Sequence, residues 1–147
     1  MNKPTLPQTQ IDKMNLLYSE IDSIYHTAAL RLKLTDSALA VLYVLRTEEN
    51  QCSISDICKV TGIGKQTINS ALRKMEREGI ILLKAMDGRK KTVTLTEKGA
   101  ALSMTTADRL IDAENQAIAD WSSDEISEYL RLMRKFRDCL KKEIDNI

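Results

Sequence analysis

The positions of glycine and proline constrain the fold of this chain most. Both prolines, Pro4 and Pro7, lie near the N-terminus, and all five glycines fall between residues 62 and 99. Residues 8–61 and 100–147 therefore contain neither of the two strongest helix breakers. Long helices are allowed in both of these arms, and the tight turns must lie between them.

Apolar residues recur at helical spacing in both arms. A first helix is predicted over about residues 10–33, and Thr35 is predicted to cap a second, largely apolar helix. Thr96 is predicted to cap a long helix that reaches about Asp120, and Ser122 has capping-box spacing at the start of the last helix. The two arms are thus expected to be entirely helical.

The middle of the chain predicts two short helices followed by a hairpin. Ser53 can cap the first helix, and Gly62 can end it in the left-handed conformation. The second helix follows after Gly64, which leaves a three-residue turn, and Gly79 ends it. Two short helices joined by such a turn form a helix-turn-helix.

The hairpin is predicted from two short stretches of strand-like sequence. Residues 80–83 form an apolar run, and residues 92–95 alternate between polar and apolar side chains. The dipeptide Asp87-Gly88 between them is a strong turn signal. A two-stranded wing with a basic tip at residues 89–91 is therefore expected beside the helix-turn-helix.

A net charge of +1 conceals a basic centre. Residues 59–91 carry nine Lys and Arg and three acidic residues, so that this segment is +6 and the rest of the chain is −5. Such a distribution indicates a local site for a polyanion, although a solvated charged face would give the same pattern.

The second short helix carries the side-chain types that read DNA. A helix held out by a short turn fits the major groove of B-DNA, where Gln66, Asn69 and Arg73 can contact base edges. The candidate DNA-binding residues of this helix are Lys65, Gln66, Thr67, Asn69, Ser70, Arg73 and Lys74. Those of the wing are Asp87, Arg89, Lys90 and Lys91.

Short motifs between Ser53 and Ala101 are specific enough to suggest a family. They are Ile57-Cys58, Thr61-Gly62-Ile63, Thr67-Ile68, Leu72, Met75, Gly79-Ile80-Ile81, the wing pair Asp87 and Arg89, and the exit Leu95-Thr96-Glu97-Lys98-Gly99. In these residues the chain resembles the MarR family of bacterial transcription regulators. The resemblance implies a mainly α fold: a winged helix-turn-helix with a two-stranded β wing, plus N- and C-terminal helices that form a dimerisation domain.

The resemblance also implies a division of the chain and a homodimer. Residues 1–34 would be an N-terminal tail and dimerisation helix, residues 35–98 the DNA-binding lobe, and residues 99–147 the C-terminal dimerisation helices. Independently, two long amphipathic arms flank a lobe too small to cover both, which favours a partner subunit over the alternative, a monomeric bundle. The candidate interface residues are Ile21, Ile24, Leu32, Leu130, Met133 and Leu140.

The cysteines and the single histidine exclude several kinds of site. Cys52, Cys58 and Cys139 have no CxxC spacing and are too few for a disulfide scaffold, and His26 alone cannot form a His-rich metal site. Cys58 is expected to pack against the second short helix, whereas Cys52, just ahead of a helix N-terminus, could have a lowered thiol pKa. No segment has the length of an apolar membrane span, and the N-terminus lacks the core of a signal peptide, so we expect a cytoplasmic protein.

The expected function is sequence-specific binding of double-stranded DNA by a dimeric transcription regulator. We expect no enzyme activity and no cofactor or metal, because the sequence offers no glycine-rich phosphate loop, metal cluster, or nucleophile with a plausible base. The alternative is a winged-helix adaptor for protein partners, whose recognition helix would be acidic or apolar. A repressor is favoured, with the sign of regulation left open. If a small-molecule effector binds beside the dimerisation helices, the candidate contacts are Tyr25, His26 and Tyr43.

Overall fold

The computed structural model describes residues 6–85 and 91–147. The helices in these ranges are α1 (Leu6–Arg31), α2 (Asp36–Thr47), α3 (Ile54–Thr61), α4 (Lys65–Arg77), α5 (Glu97–Thr105), α6 (Ala107–Ala117) and α7 (Ser123–Asp145). The strands are β1 (Gln51–Ser53), β2 (Ile81–Ala85) and β3 (Lys91–Leu95). The chain divides into two units, Met1–Ile111 and Asp112–Ile147. The mainly helical winged fold expected from the sequence is confirmed.

Side-chain caps fix four of the helix starts at the predicted residues. Thr35, Ser53, Thr96 and Ser122 each accept a hydrogen bond from the backbone N–H three residues further on. At the start of α7 the carboxylate of Glu125 also accepts from the backbone N–H of Ser122, which completes a capping box. Each cap satisfies a helix N–H that would otherwise lack a partner and contributes ~1 kcal/mol.

The sheet has one strand more than the predicted hairpin. The strand order is β1-β3-β2, all antiparallel, with Cys52 and Leu83 opposite Val93 on its two sides. Three residues are too few to show the alternating pattern by which a strand is recognised, so β1 gave no signal in the sequence.

The core of the first unit surrounds α2. Val41, Leu42 and Leu45 on this helix are completely buried. They belong to one cluster with buried residues from every other element of the helix-turn-helix and its sheet, including Ile57, Ile68, Leu72, Ile81 and Val93. This explains why α2 is apolar on nearly all sides, and the shared core makes the lobe one packed body.

The prediction of one long helix from Thr96 to about Asp120 was wrong. The helical path breaks at Thr106, whose backbone angles are φ −129° and ψ −87°, and the next helix ends at Ala117. The Thr106 hydroxyl donates to the carbonyl of Leu102 at 2.7 Å, in competition with the backbone ladder. The break contains neither glycine nor proline, so the distribution of helix breakers could not reveal it.

The second unit contains exposed aromatic and apolar side chains. The rings of Trp121 and Tyr129 meet edge to face with centroids 5.7 Å apart. None of the residues of α7 is buried. In the part of the chain that the structure describes, no helix combines the length and the apolar character needed to cross a membrane.

Candidate nucleic-acid interface

The α4 helix has one buried side and one polar side. Ile68, Leu72 and Met75 face the core, as their helical spacing predicts. The seven candidate DNA-binding residues lie elsewhere on the helix, and all are exposed except Asn69, which is half-buried. The core therefore fixes the rotation of α4 about its axis and presents its polar side outward.

Local hydrogen bonds hold the turn between α3 and α4. Gly62 has φ +69°, and its N–H donates to the carbonyl of Cys58 at 2.9 Å. The Thr61 hydroxyl donates to the carbonyl of Ile57 at 2.7 Å and accepts from the N–H of Ile63 at 3.2 Å. The turn is thus satisfied internally, and it sets the angle at which α4 leaves α3.

Five of the candidate side chains line one open depression on α4: Gln66, Thr67, Asn69, Ser70 and Arg73. Lys65 and Lys74 are exposed on the same helix but do not line it. No carboxylate of the described residues forms an ion pair with Arg73, unlike Arg46, Arg131 and Arg137. The surface therefore combines amide, hydroxyl and guanidinium groups, which are the groups that read base edges and phosphates.

The wing is only partly described. Lys91 begins β3 and is exposed, as is Lys84 on the neighbouring strand. The other candidates of the wing, Asp87, Arg89 and Lys90, lie outside the described residues. Their DNA-binding roles stay predictions.

Hydrogen bonds join the exit from the wing to the end of α4. The Thr96 hydroxyl donates to the carbonyl of Gly79 at 2.6 Å, and the Thr96 N–H donates to the carbonyl of Ile80 at 3.1 Å. The ammonium of Lys98 donates to the carbonyl of Glu78 at 2.7 Å. These contacts tie the first turn of α5 to the residues that follow α4, and they give a physical reason for the exit motif.

An ion pair that sequence reasoning missed joins α2 to α6. The Nε and Nη2 atoms of Arg46 donate to the two carboxylate oxygens of Asp108 at 2.8 and 2.7 Å. Its Nη1 donates to the side-chain oxygen of Asn50 at 3.1 Å. The pairing lowers the pKa of Asp108 and raises that of Arg46. The partners are 62 residues apart, so no local pattern could pair them.

The candidate effector residues lie on α1 and α2. The Nδ1 atom of His26 is 3.0 Å from each carboxylate oxygen of Asp36, so this histidine joins the two helices. Neither Tyr25 nor Tyr43 lines the depression on α4, and nor does His26. Their role toward an effector stays a prediction.

The expected lowering of the Cys52 pKa was wrong. Burial raises the pKa of this thiol, and the negative charges of Asp56 and Glu48 raise it further. Because Cys52 is buried where β1 joins the sheet, desolvation of the thiolate outweighs the effect of its position ahead of a helix. Cys58 packs against the core, as expected.

Five of the six candidate dimerisation residues are exposed within their own unit. Ile21 and Ile24 are exposed on α1. Leu130, Met133 and Leu140 are exposed on α7. Leu32 differs, because it is half-buried and packs against the core of the first unit.

These observations define the class of protein first. A helix-turn-helix with an outward polar helix and an adjoining antiparallel wing is a winged-helix fold of the kind that binds DNA. Among the described residues, no group of three or more His, Cys, Asp or Glu is arranged to hold a metal ion.

Comparison with known proteins then shows what the chain is similar to. The model of the MarR family matches residues 32–90. The structure of NMB1585, a MarR family regulator from Neisseria meningitidis, superposes with a TM-score of 0.84 at 19% identity, over 93% of this chain and 97% of that chain. Among curated proteins, none matches the chain in sequence. Residues 32–90 thus match the MarR family model, and the chain has the fold of solved MarR family regulators.

Two further structures are similar in fold. The S. aureus MepR–DNA complex has a TM-score of 0.67 at 19% identity and covers 94% of this chain and 99% of that chain. BpsR of Bordetella bronchiseptica, solved to explain how 6-hydroxynicotinic acid regulates its DNA binding, has a TM-score of 0.64 at 21% identity, over 85% and 98% of the two chains. The fold that this chain adopts is therefore one found in complex with DNA.

Proposed function

We propose that this protein is a sequence-specific transcription regulator that binds an inverted-repeat operator as a homodimer. The observation that carries the proposal is the outer side of α4, where five polar side chains line one depression while the opposite side is locked into the core. An adaptor for protein partners would need an acidic or apolar surface here, and this surface is neither.

The side chains of α4 are expected to divide the work of binding. Arg73 can donate two hydrogen bonds to guanine, and Asn69 or Gln66 can pair with adenine in the major groove. Lys65 and Lys74 at the edges of the helix are placed for phosphates, which position the protein without reading sequence.

The homodimer is proposed from the exposed apolar rows. Leu130, Met133 and Leu140 on α7, and Ile21 and Ile24 on α1, expose apolar surface to water. A second copy of the chain would cover such surface symmetrically. Two recognition helices related by a two-fold axis meet successive major grooves ~34 Å apart, which is why the operator is expected to be an inverted repeat.

Repression and release by a small molecule complete the proposal. A dimer that occupies an operator excludes other proteins from that DNA, so repression needs no surface beyond the interface itself. The similarity to BpsR, whose DNA binding responds to 6-hydroxynicotinic acid, supports an effector of some kind. Tyr25, His26 and Tyr43 are the proposed contacts.

The proposal is tested with the intact protein and two arginine variants. Selection from random duplex DNA supplies a preferred site, and its affinity is then compared with that of a scrambled duplex. Arg73→Ala should remove most of the preference at one base pair of each half-site. Arg77→Ala is the matched control, because it removes the same charge from α4 outside the depression.

Two results would count against the proposal. If the parent protein binds the selected and scrambled duplexes equally, it does not read sequence. If Arg77→Ala and Arg73→Ala lower the affinity for both duplexes by the same factor, the depression on α4 is not the surface that reads sequence.

A further inference from the structure

The ion pair between Arg46 and Asp108 lies where α6 begins. Asp108 is in the first turn of α6, directly after the break at Thr106, and Arg46 is in the last turn of α2. Both side chains are largely shielded from solvent, with 22% and 31% of their surfaces exposed. The bidentate geometry makes this the one inter-helix guanidinium–carboxylate pair found among the described residues.

Two apolar contacts accompany the ion pair. Ala107 is completely buried, and Leu110 packs against the core of the first unit. The first turn of α6 is therefore held by the core on one side and by Arg46 on another. Past Ile111 the same helix continues into the second unit, so its first turn lies just before the point where the chain passes from one unit to the other.

The break at Thr106 makes this attachment necessary. If the helix continued from α5 without a break, the backbone hydrogen bonds would keep α6 in line with α5. At Thr106 the backbone leaves the helical angles, and its N–H donates to Ser103 rather than continuing the regular ladder. Side chains then hold the first turn of α6 on the lobe.

We propose that the Arg46–Asp108 pair determines which half-site spacing the protein accepts on DNA. The inference rests on the proposed function, because it requires a dimer joined through segments that include the second unit. In such a dimer each recognition helix lies roughly 17 Å from the two-fold axis, half of the groove repeat. A rotation of α6 at its first turn would move that helix along the DNA, and a displacement of about 3.4 Å corresponds to one base pair.

The pair is suited to this task because its geometry is directional. A guanidinium that makes two parallel hydrogen bonds to a carboxylate fixes orientation as well as distance, which a single point charge does not. Asn50 restrains the third nitrogen of Arg46. Arg46 and Asp108 are therefore positioning residues for the interface on α4, and they need not touch DNA.

The test measures spacing preference with a set of inverted repeats whose half-sites are separated by spacers that differ by one base pair. The parent protein should prefer one spacing by at least tenfold. Asp108→Asn keeps the shape of the side chain but removes the charge, and it should reduce this preference to threefold or less or shift it by at least one base pair. Its affinity for a duplex with one half-site should stay within twofold of that of the parent.

Further variants keep the test decisive if Asp108→Asn unfolds. Arg46→Lys retains the charge without the bidentate geometry. Like Asp108→Asn, it should weaken the preference for one spacing or shift it. The double variant Arg46→Asp/Asp108→Arg should restore much of the preference. Arg109→Met is the matched control, since it removes a charge beside Asp108 that has no carboxylate partner among the described residues, and it should leave the spacing unchanged.

The outcomes separate the inference from the function on which it rests. If the parent has one preferred spacing and both Asp108→Asn and Arg46→Lys keep it with the same discrimination, the inference is overturned while the proposed function stands. A uniform loss of affinity at every spacing overturns it too, because that is the effect of general destabilisation. If the parent enriches no sequence at all, the proposed function fails, and the inference fails with it.

Discussion

Replacing Gly99 with alanine should destabilise the protein although alanine is the better helix former. Gly99 lies in the first turn of α5 and is buried. The Cβ added by Gly99→Ala would lie 2.1 Å from the backbone oxygen of Ile80 and 2.9 Å from Cδ2 of Leu95, whereas ordinary contact begins at 3.4 Å. The helix must therefore move away from Ile80 by about 1.3 Å.

That movement would disturb the hydrogen bonds that Thr96 makes. The carbonyl of Ile80 accepts from the N–H of Thr96 at 3.1 Å, and the Thr96 hydroxyl, which donates to the carbonyl of Gly79 at 2.6 Å, also lies 3.1 Å from the Ile80 oxygen. Losing one or two such bonds costs about 1 kcal/mol each, and forcing a methyl group into a packed site costs about 1–3 kcal/mol. Helix propensity returns only about 1 kcal/mol. The net loss should be about 1–4 kcal/mol, or a fall of roughly 2–16 °C in the unfolding midpoint for a chain of this size.

Thermal unfolding followed by circular dichroism at one fixed protein concentration measures this effect. Gly64→Ala is the control, because no atom lies within 4 Å of its added Cβ and its backbone has φ −61°. It should cost no more than about 1 kcal/mol, because alanine is a poorer N-cap than glycine but meets no steric obstacle here. Adding Leu95→Ala to Gly99→Ala should not rescue the protein, since the nearest obstacle is backbone. A higher midpoint for Gly99→Ala, as propensity alone requires, would refute the reasoning.

Three other predictions concern the interface, the dimer and the response to acid. Arg73→Ala should lose ~1–3 kcal/mol of discrimination at one base pair, whereas Lys91→Ala should weaken all duplexes alike and flatten the salt dependence by about one unit, as binding titrations across salt concentrations would reveal. Leu140→Glu should give monomers or unfolded chains in sedimentation analysis, because an unpaired charge in an intersubunit core costs several kcal/mol; a dimer of parental stability would remove α7 from the interface. Because Arg46 lowers the pKa of Asp108, that pair should stabilise the fold above the ordinary carboxyl pKa of about 3.9 and lose this contribution as pH falls through the lower folded value. Denaturant titrations from pH 6 to 3 should therefore show that the free energy of unfolding falls less for Asp108→Asn than for the parent.

Much of the lobe could be predicted because its signals are local. A cap such as Thr35 or Ser53 acts on the backbone three residues away, and Gly62 ends α3 through its own left-handed conformation. The rotation of α4 followed from the spacing of Ile68 and Leu72, which the core then satisfied. Each of these features is decided within a few residues of sequence.

The features that could not be predicted depend on contacts distant in sequence. The strand β1 exists only because β3 pairs with it, and the thiol pKa of Cys52 rises because the sheet buries it. The partner of Arg46 is Asp108, and no local sequence pattern links two residues so far apart in the chain. The break at Thr106 coincides with a hydrogen bond from its hydroxyl to the carbonyl of Leu102 and not with a glycine or a proline.

The central claim is that two copies of this winged helix read two symmetric half-sites. The most direct measurement is selection of bound duplexes from random DNA, followed by sedimentation of the protein with the selected duplex to count the subunits. The account predicts an inverted repeat with half-site centres about one helical turn apart, or a multiple of it, and two subunits on each duplex. A single asymmetric site occupied by one subunit, or no enriched sequence, would contradict it.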